Sequence, residues 1–393
     1  MSSPAYQPGT HFLQIPGPSN VPERVLRAMA RPVIDHRGPE FPTLTYDLLE
    51  NIKPLFKTSS PVFIYPTSGT GGWECALLNT LNPGDKVLAY ETGHFSTLWK
   101  GVADKLGLDV IWLQGDWRHG IDAQRIEEAL REDKAEQIKA VMAVHTETST
   151  GVTSRIDKVR QAIDDAGHPA LLLVDAVSSI ACTEYFHDEW QVDVSISASQ
   201  KGLMLPPGLS FNAVSEKALK QAETVKSYQS YWRWDAMYEF NKKGYFPYTP
   251  STNLLYALQE ALKLLHLEGL DNVFDRHRRL SAATRAALTA WGLENVCLNE
   301  DEFCNSTTAV LLPEGHDADE LRELILEKFN MSLGTGLGKL KGKIFRIGHI
   351  GDFNELMLAG TLGGVEMGLQ LSGIPYKTGG INAALQYLAD QKK

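Results

Sequence analysis

The sequence predicts an α/β protein in which a mostly parallel seven-stranded sheet is followed by a smaller C-terminal α+β domain. Three observations carry this reading. Between about residues 60 and 215, short β-rich apolar runs alternate with longer stretches of helical spacing. The runs are apolar almost throughout, as strands of a sheet covered on both faces must be. Beyond Pro250 the pattern turns mainly helical, with two further strand candidates.

Taken in order, the seven runs are Val62–Tyr65, Lys86–Tyr90, Val110–Leu113, Ala140–Val144, Leu171–Val174, Val192–Ile196 and Leu209–Val214. Segments between them (Trp73–Thr80, Ser96–Leu106, Ala123–Arg131 and Ile156–Ala166) repeat their apolar residues at helical spacing, which gives a layered α/β domain. Two helical patterns follow at Leu254–Leu267 and Val273–Trp291. A strand at Thr308–Leu312, a helix at Ala318–Phe329, a strand around Lys343–Ile347 and a last helix at Asn354–Leu371 complete the reading. The division expected is an N-terminal arm over residues 1–20, a large domain over 21–265 and a small domain over 266–393.

Composition excludes several classes. A chain of 393 residues, 43% hydrophobic and 22% charged, can bury a large core. Its longest apolar stretches, such as Ala170–Val174, fall far short of the roughly 20 residues that cross a bilayer. The first residues have no basic segment leading into an apolar one, so a cytoplasmic protein is expected. Four cysteines without Cys-x-x-Cys spacing, and isolated His119, His145, His168 and His187, argue for free thiols and against a metal site. The formal charge of −10, with no long basic run, argues against nucleic acid and anionic membranes. An anionic small substrate would then need a locally positive site.

Ligands of open α/β sheets sit beyond the carboxyl ends of the strands, so the loops after these runs are where chemistry belongs. Thr67-Ser68-Gly69-Thr70-Gly71-Gly72 follows the first run and opens a helix, an arrangement that can cradle phosphate. It lacks the Lys-Ser/Thr of a nucleotide P-loop. Glu91 stands about 20 residues on, where a dinucleotide site keeps its ribose acceptor, but the third glycine of that fingerprint is missing. On the loop alone, nucleotide, smaller phosphate and plain turn glycines all stay open.

Asp175 closes the fifth run, where a carboxylate either caps the next segment or faces a ligand. Lys201 lies 26 residues further on, after the sixth run and ahead of Pro206-Pro207-Gly208. Most lysines are solvated, but this one sits between small residues where the sheet presents its site. A phosphate cup, a carboxylate and a lysine are together the parts that hold pyridoxal 5′-phosphate (PLP). The lysine carries the cofactor covalently, and the acid keeps the ring nitrogen protonated.

From about Pro16 to Leu371 the chain resembles the class V aminotransferases of fold type I, and most closely their serine/alanine:glyoxylate branch. The stretches that carry the resemblance are Pro16-Gly17-Pro18, Ser68 to Glu74, His145-Thr146-Glu147-Thr148-Ser149-Thr150-Gly151, Val174 to Ser179, Ser199-Gln200-Lys201 with Pro206-Pro207-Gly208, and Phe345-Arg346-Ile347-Gly348. The resemblance implies the PLP-dependent transferase fold type I, with Lys201 and Asp175 catalytic. It puts Thr70, Gly71, Gly72 and Gln200 on the cofactor phosphate, Thr148 on its phenolic oxygen and Phe95 against its ring.

Arg346 would grip the substrate α-carboxylate, and the turn at Gly17 would lie over the site. Tyr248 and Thr249 would serve the neighbouring subunit's phosphate site, and His36 and Arg37 its substrate, which implies a homodimer with shared sites. Three positions depart from the pattern: Ala198 and Ala176 stand where relatives have glycine, and His36 replaces a tyrosine of plant serine:glyoxylate enzymes. The last bears on the amino donor.

The expected reaction is therefore transamination between a small amino acid and a 2-oxo acid. Serine or alanine are the favoured donors, glyoxylate the acceptor, and aspartate or ureidoglycine the alternative donors. A nicotinamide-dependent oxidoreductase would use the glycine loop and Glu91 but leaves Lys201, Asp175 and Arg346 idle. A PLP-fold scaffold without activity would sooner have lost Lys201 or Arg346. A desulfurase would need Cys297 or Cys304 as nucleophile, and neither lies in a catalytic loop motif. The aromatic group Tyr228, Tyr231, Trp232 and Trp234 is expected to pack the core rather than wall a substrate.

Overall fold

In the computed structural model, which describes residues 8–226 and 230–391, all seven expected runs form one sheet. Across it the strands are Val62–Tyr65, Ser210–Val214, Val194–Ala198, Leu171–Asp175, Ile138–Val144, Lys86–Tyr90 and Asp109–Leu113. Ser210–Val214 runs antiparallel to both of its neighbours, and every other pairing is parallel. The first strand therefore points the same way as the parallel ones. One edge of the sheet collects the loops that follow Tyr65, Tyr90, Val144, Asp175 and Ala198.

The sixth strand begins two residues later than its apolar run. Asp193 interrupts the run, because its carboxylate accepts the Leu172 N–H at 2.8 Å and the Ser215 hydroxyl at 3.0 Å. Pairing then continues to Ala198, which delivers Ser199, Gln200 and Lys201 directly to the carboxyl edge.

Side-chain caps start three of the expected helices where the sequence has Asp or Asn. Asp122 accepts from Gln124 and Arg125 ahead of Ala123–Glu132, Asp317 from Asp319 ahead of Ala318–Phe329, and Asn354 from Leu356 and Met357 ahead of Glu355–Ser372.

A second sheet orders Phe12–Gln14, Met331–Thr335, Ile344–Gly348, Thr307–Leu311 and Glu294–Asn295. The Phe12–Gln14 strand pairs in parallel with Met331–Leu333, so the N-terminal arm is stitched into the C-terminal sheet. The interior divides accordingly into two main apolar clusters, one around each sheet.

Glu355–Ser372 is not the last helix: Gly380–Asp390 follows and packs against Leu270–Trp291. Its buried Gly380, Ala384 and Leu388 recur every four residues, and a side chain at Gly380 would meet the Trp291 indole at 2.1 Å. Among the described residues, no helix is long and apolar enough to cross a membrane.

Candidate active site

A cavity of about 230 Å³ opens at the carboxyl edge of the large sheet, and Lys201, Asp175, Thr70, Phe95, Thr148, Gln200 and Gly17 all line it. Larger hollows exist, one of about 540 Å³, but this cavity brings together a buried lysine, a buried acid and a helix N-terminus. Ser68, Trp73, Thr146 and Ser178 share the lining and were given no role from sequence. All four lie inside the stretches that carry the family resemblance, so their neighbours are the signal that could have found them.

The glycine loop divides its work. Ser68 is extended and precedes the helix Gly69–Thr80, whose first N–H groups have no acceptor within the helix and point at the cavity end. Gly72 differs from Thr70 and Gly71. Its N–H already donates to the Ser68 carbonyl at 3.1 Å, and an added Cβ would lie 2.8 Å from Ile196. Gly72 thus seats the helix on the sheet, while Thr70 and Gly71 keep their amides at the open first turn. Gly71 and Gly72 do not line the cavity with the others.

Lys201 is held by the N-terminal arm. Its amine donates to the Pro16 carbonyl at 2.5 Å, and Ser19 binds the Lys201 carbonyl through its hydroxyl at 2.8 Å and the Gln200 carbonyl through its N–H at 3.0 Å. Gly17, at φ +118°, passes so close that a Cβ there would sit 2.6 Å from the lysine nitrogen. Burial, with the nearby Arg346 charge, pushes the Lys201 amine down to about 8, and Asp175 partly opposes the shift. A neutral amine, able to act as a base, is then accessible near neutral pH.

Asp175 shows the complementary strain. Burial pushes its carboxyl up to about 7, although it accepts the Val177 N–H at 2.8 Å. A carboxylate on a cavity wall that is costly to ionise is suited to a cationic partner in the cavity. Gln200 agrees with a polar occupant, because its side-chain oxygen is buried without a hydrogen-bond partner among the described residues. These observations fit PLP, whose ring nitrogen and phosphate would meet an acid and a helix N-terminus.

The shift also sets a stability expectation. With Asp175 near 7 in the folded protein and at the ordinary carboxyl value of 3.8 in the unfolded chain, the cofactor-free folded protein keeps a proton that the unfolded chain has already released between those values. Stability should therefore fall as pH rises from about 4 to about 7, by at most roughly 4 kcal/mol. Asp175→Asn should remove that slope. Urea midpoints of the cofactor-free proteins at pH 5 and pH 8 check it, and equal pH dependence in both proteins would contradict it.

Arg346 lies on the strand Ile344–Gly348 behind the cavity wall, 7% exposed. Its Nε donates to the Thr335 carbonyl at 2.8 Å and its Nη1 to the Thr148 carbonyl at 2.9 Å. Two of its five N–H groups are spent in fixing its plane. Burial lowers it to about 10, and the Glu147 charge works against that shift, so it stays cationic at neutral pH.

Glu147 lies in the His145–Gly151 stretch, where the sequence alone assigns it no role. It is fully buried and accepts the N–H groups of Phe95, Ser96 and Ser149 and the Ser149 hydroxyl. It thereby fixes the start of the helix that carries Phe95 and the hairpin that carries Thr148.

The remaining expected residues gather elsewhere. Thr249 meets the His36 ring at 3.4 Å, and Tyr248 stacks on Tyr231 at 4.2 Å, but neither segment lines the Lys201 cavity of its own chain. Arg37 is exposed, its N–H bonded to the Asp35 carboxylate. Trp234 is fully buried and packs on Phe63, as core packing requires, and Trp232 packs on Tyr65, but Tyr231 is exposed and is not a core residue; Tyr228 lies outside the described residues.

Glu91 is occupied, accepting the Trp117 indole N–H and the Lys339 ammonium, which removes the ribose acceptor of the nicotinamide reading. Cys304 bonds to Ser306 in the interior, and burial raises both its thiol and that of Cys297, the latter to about 12, so neither is poised as a nucleophile.

Comparison with known proteins agrees with this geometry. The family model described as Aminotransferase class-V matches residues 11–338. A serine–glyoxylate aminotransferase of Methylorubrum extorquens is 50% identical over 98% of this chain and 97% of its own length. An L-aspartate–glyoxylate aminotransferase of Paracoccus denitrificans is 43% identical over 95% and 94%. The crystal structure of a ureidoglycine–glyoxylate aminotransferase from Bacillus subtilis superposes with a TM-score of 0.89 at 28% identity, covering 98% of this chain and 99% of the other.

Proposed function

We propose that this chain, which belongs to the class V aminotransferases and works with PLP, moves the amino group of serine or alanine to glyoxylate, giving glycine and a 2-oxo acid. The observation that carries the reading is the meeting of Lys201, Asp175 and the first turn of the Gly69–Thr80 helix around one cavity. Similarity to a serine–glyoxylate enzyme at 50% identity supports serine. Similarity to an aspartate–glyoxylate enzyme at 43% keeps aspartate as the second donor to try.

In this reading Thr70, Gly71 and Gln200 hold the cofactor phosphate, Gly72 supports them from behind, and Phe95, Thr148 and Asp175 hold the ring. Lys201 carries the cofactor covalently. When bound, PLP supplies the electron sink that lets the Cα–H bond of an amino acid break. Freed when the substrate's amino group displaces it from the cofactor, the Lys201 amine, lowered to about 8, would take up the proton that leaves Cα. Asp175 stays ionised opposite a protonated ring nitrogen, because an opposite charge offsets the cost of its burial. Arg346, with its plane already fixed, grips the α-carboxylate and sets which Cα bond faces the lysine.

Gly17 and its neighbours close the cavity from the arm side, which leaves room for a small acceptor. With serine as donor, kcat/KM should be highest for glyoxylate among glyoxylate, pyruvate, oxaloacetate and 2-oxoglutarate. A preference for 2-oxoglutarate would require room for a second carboxylate and would end the glyoxylate assignment.

Because Tyr248, Thr249, His36 and Arg37 stand away from their own chain's cavity, the active unit is taken to be a homodimer in which they complete the neighbour's site. A Lys201→Ala chain mixed with an Arg37→Ala chain then regains activity at the hybrid's one intact site. Verified heterodimers that stay inactive would argue that each subunit is self-contained.

A further inference from the structure

We infer that Lys339 is a positioning residue for the carboxylate clamp: with Glu91 it forms a clasp that ties the loop anchoring Arg346 to the rim of the large sheet. The inference rests on the reading of Arg346 given above.

Glu91 follows the strand Lys86–Tyr90 and is 5% exposed. Nothing in the proposed reaction uses it. Its carboxylate accepts the Trp117 indole N–H at 2.8 Å and a bond from the Lys339 ammonium. Lys339 comes from the short turn Gly338–Leu340 between the strands Met331–Thr335 and Ile344–Gly348. Its side chain is 63% exposed, yet its end reaches a buried acid and passes 5.1 Å from the centre of the Trp117 ring. An exposed lysine is most often free in solvent; this one is drawn inward by a charge that burial would otherwise leave costly.

The loop sits tightly where it lands. Gly338 has φ +53°, and a Cβ there would lie 2.8 Å from the Trp117 ring and 3.6 Å from His94 Nδ1, next to Phe95 in the cavity wall. The same loop starts at Thr335, whose carbonyl takes Arg346 Nε, whereas the other anchor of the guanidinium, the Thr148 carbonyl, lies on a hairpin that follows a large-sheet strand. Arg346 is therefore strung between two bodies, and the clasp adds a tie on the Thr335 side to those made by the Cys304 N–H on the Gly151 carbonyl and by the Val152–Phe303 bridge. Releasing it lets Thr335 drift from Thr148, and the guanidinium loses one of the two partners that hold its plane.

The test measures the dissociation constant of glycolate, an unreactive small carboxylate, on the holoenzyme by calorimetry, with KM and kcat for serine alongside. Lys339→Met should weaken glycolate binding roughly 3- to 20-fold, with KM rising more than kcat falls, and Lys339→Arg should recover most of the loss. Glu91→Gln, which keeps an oxygen for Trp117, should weaken binding by a similar factor. The double variant should then be no worse than either single one, since both remove the same link.

Additive losses, or wild-type glycolate binding in Lys339→Met while Arg346→Ala binds poorly, would overturn the clasp and leave the clamp reading intact. Wild-type binding in Arg346→Ala would instead overturn the clamp reading, and the clasp with it.

Discussion

Lys201→Ala enzyme is expected to show no serine–glyoxylate transamination above background and no visible absorbance from a lysine-bound cofactor. The expectation follows from two tasks that share one nitrogen. Lys201 is the amine that lines the cavity, and burial brings it to about 8, so it is both a nucleophile for the cofactor aldehyde and a base matched to neutral pH. A positioned acid–base group alone is worth about 10² to 10⁴ in rate, and here the covalent attachment disappears with it. The fold should survive, because among the described residues the amine donates only to the Pro16 carbonyl and the arm keeps both of its Ser19 bonds to the Gln200–Lys201 backbone. Borohydride treatment followed by mass analysis of the variant checks the assignment. A cofactor adduct retained on another residue would sink it.

Arg346→Ala should weaken both half-reactions together, since donor and acceptor present the same carboxylate to one guanidinium. Arg346 is 7% exposed and fixed by the Thr335 and Thr148 carbonyls, so a carboxylate that it grips would be held in a desolvated, oriented setting. Losses of about 2 to 5 kcal/mol are typical of truncating one member of such a pair, which corresponds to roughly 30- to 5,000-fold in kcat/KM. Arg346→Lys should recover little, because a lysine offers one point charge where the carboxylate meets a planar fork. Stopped-flow rates with serine alone, and with glyoxylate on the aminated enzyme, separate the two halves. A loss confined to one half would mean that another group binds the other substrate.

The large sheet was legible because its strands are buried on both faces and so read as unbroken apolar runs; each of the seven appears, with shifts of one or two residues at the ends. Met331–Thr335 was missed, since Ser332 and Gly334 break its pattern and its partner, Phe12–Gln14, lies over 300 residues away in the chain. Gly380–Asp390 was missed because its stripe of Gly380, Ala384 and Leu388 opens on two glycines that read as loop.

At the cavity, Lys201 and Asp175 could be singled out because Asp175 ends one strand and Lys201 comes three residues after another. Glu147 could not, because its work is to bind backbone N–H groups of Phe95, Ser96 and Ser149, which no spacing rule announces. Gly72 carried the right residue type for a reason the motif did not distinguish, namely contact with Ile196 rather than an open amide. Lys339 and Glu91 lie 248 residues apart in sequence and meet only through the packing of two sheets.

The most direct test of the account is stoichiometric: wild-type holoenzyme is given L-serine without any 2-oxo acid, and the keto acid released is counted per Lys201. Transamination stops when every site has accepted one amino group. The result predicted is a single burst of one equivalent, followed by silence until glyoxylate is added, when glycine appears in equal amount and a second burst becomes possible. Continued release of keto acid and ammonia without an acceptor, or no release from serine, alanine or aspartate, would contradict the assignment of this chain as an amino-group carrier to glyoxylate.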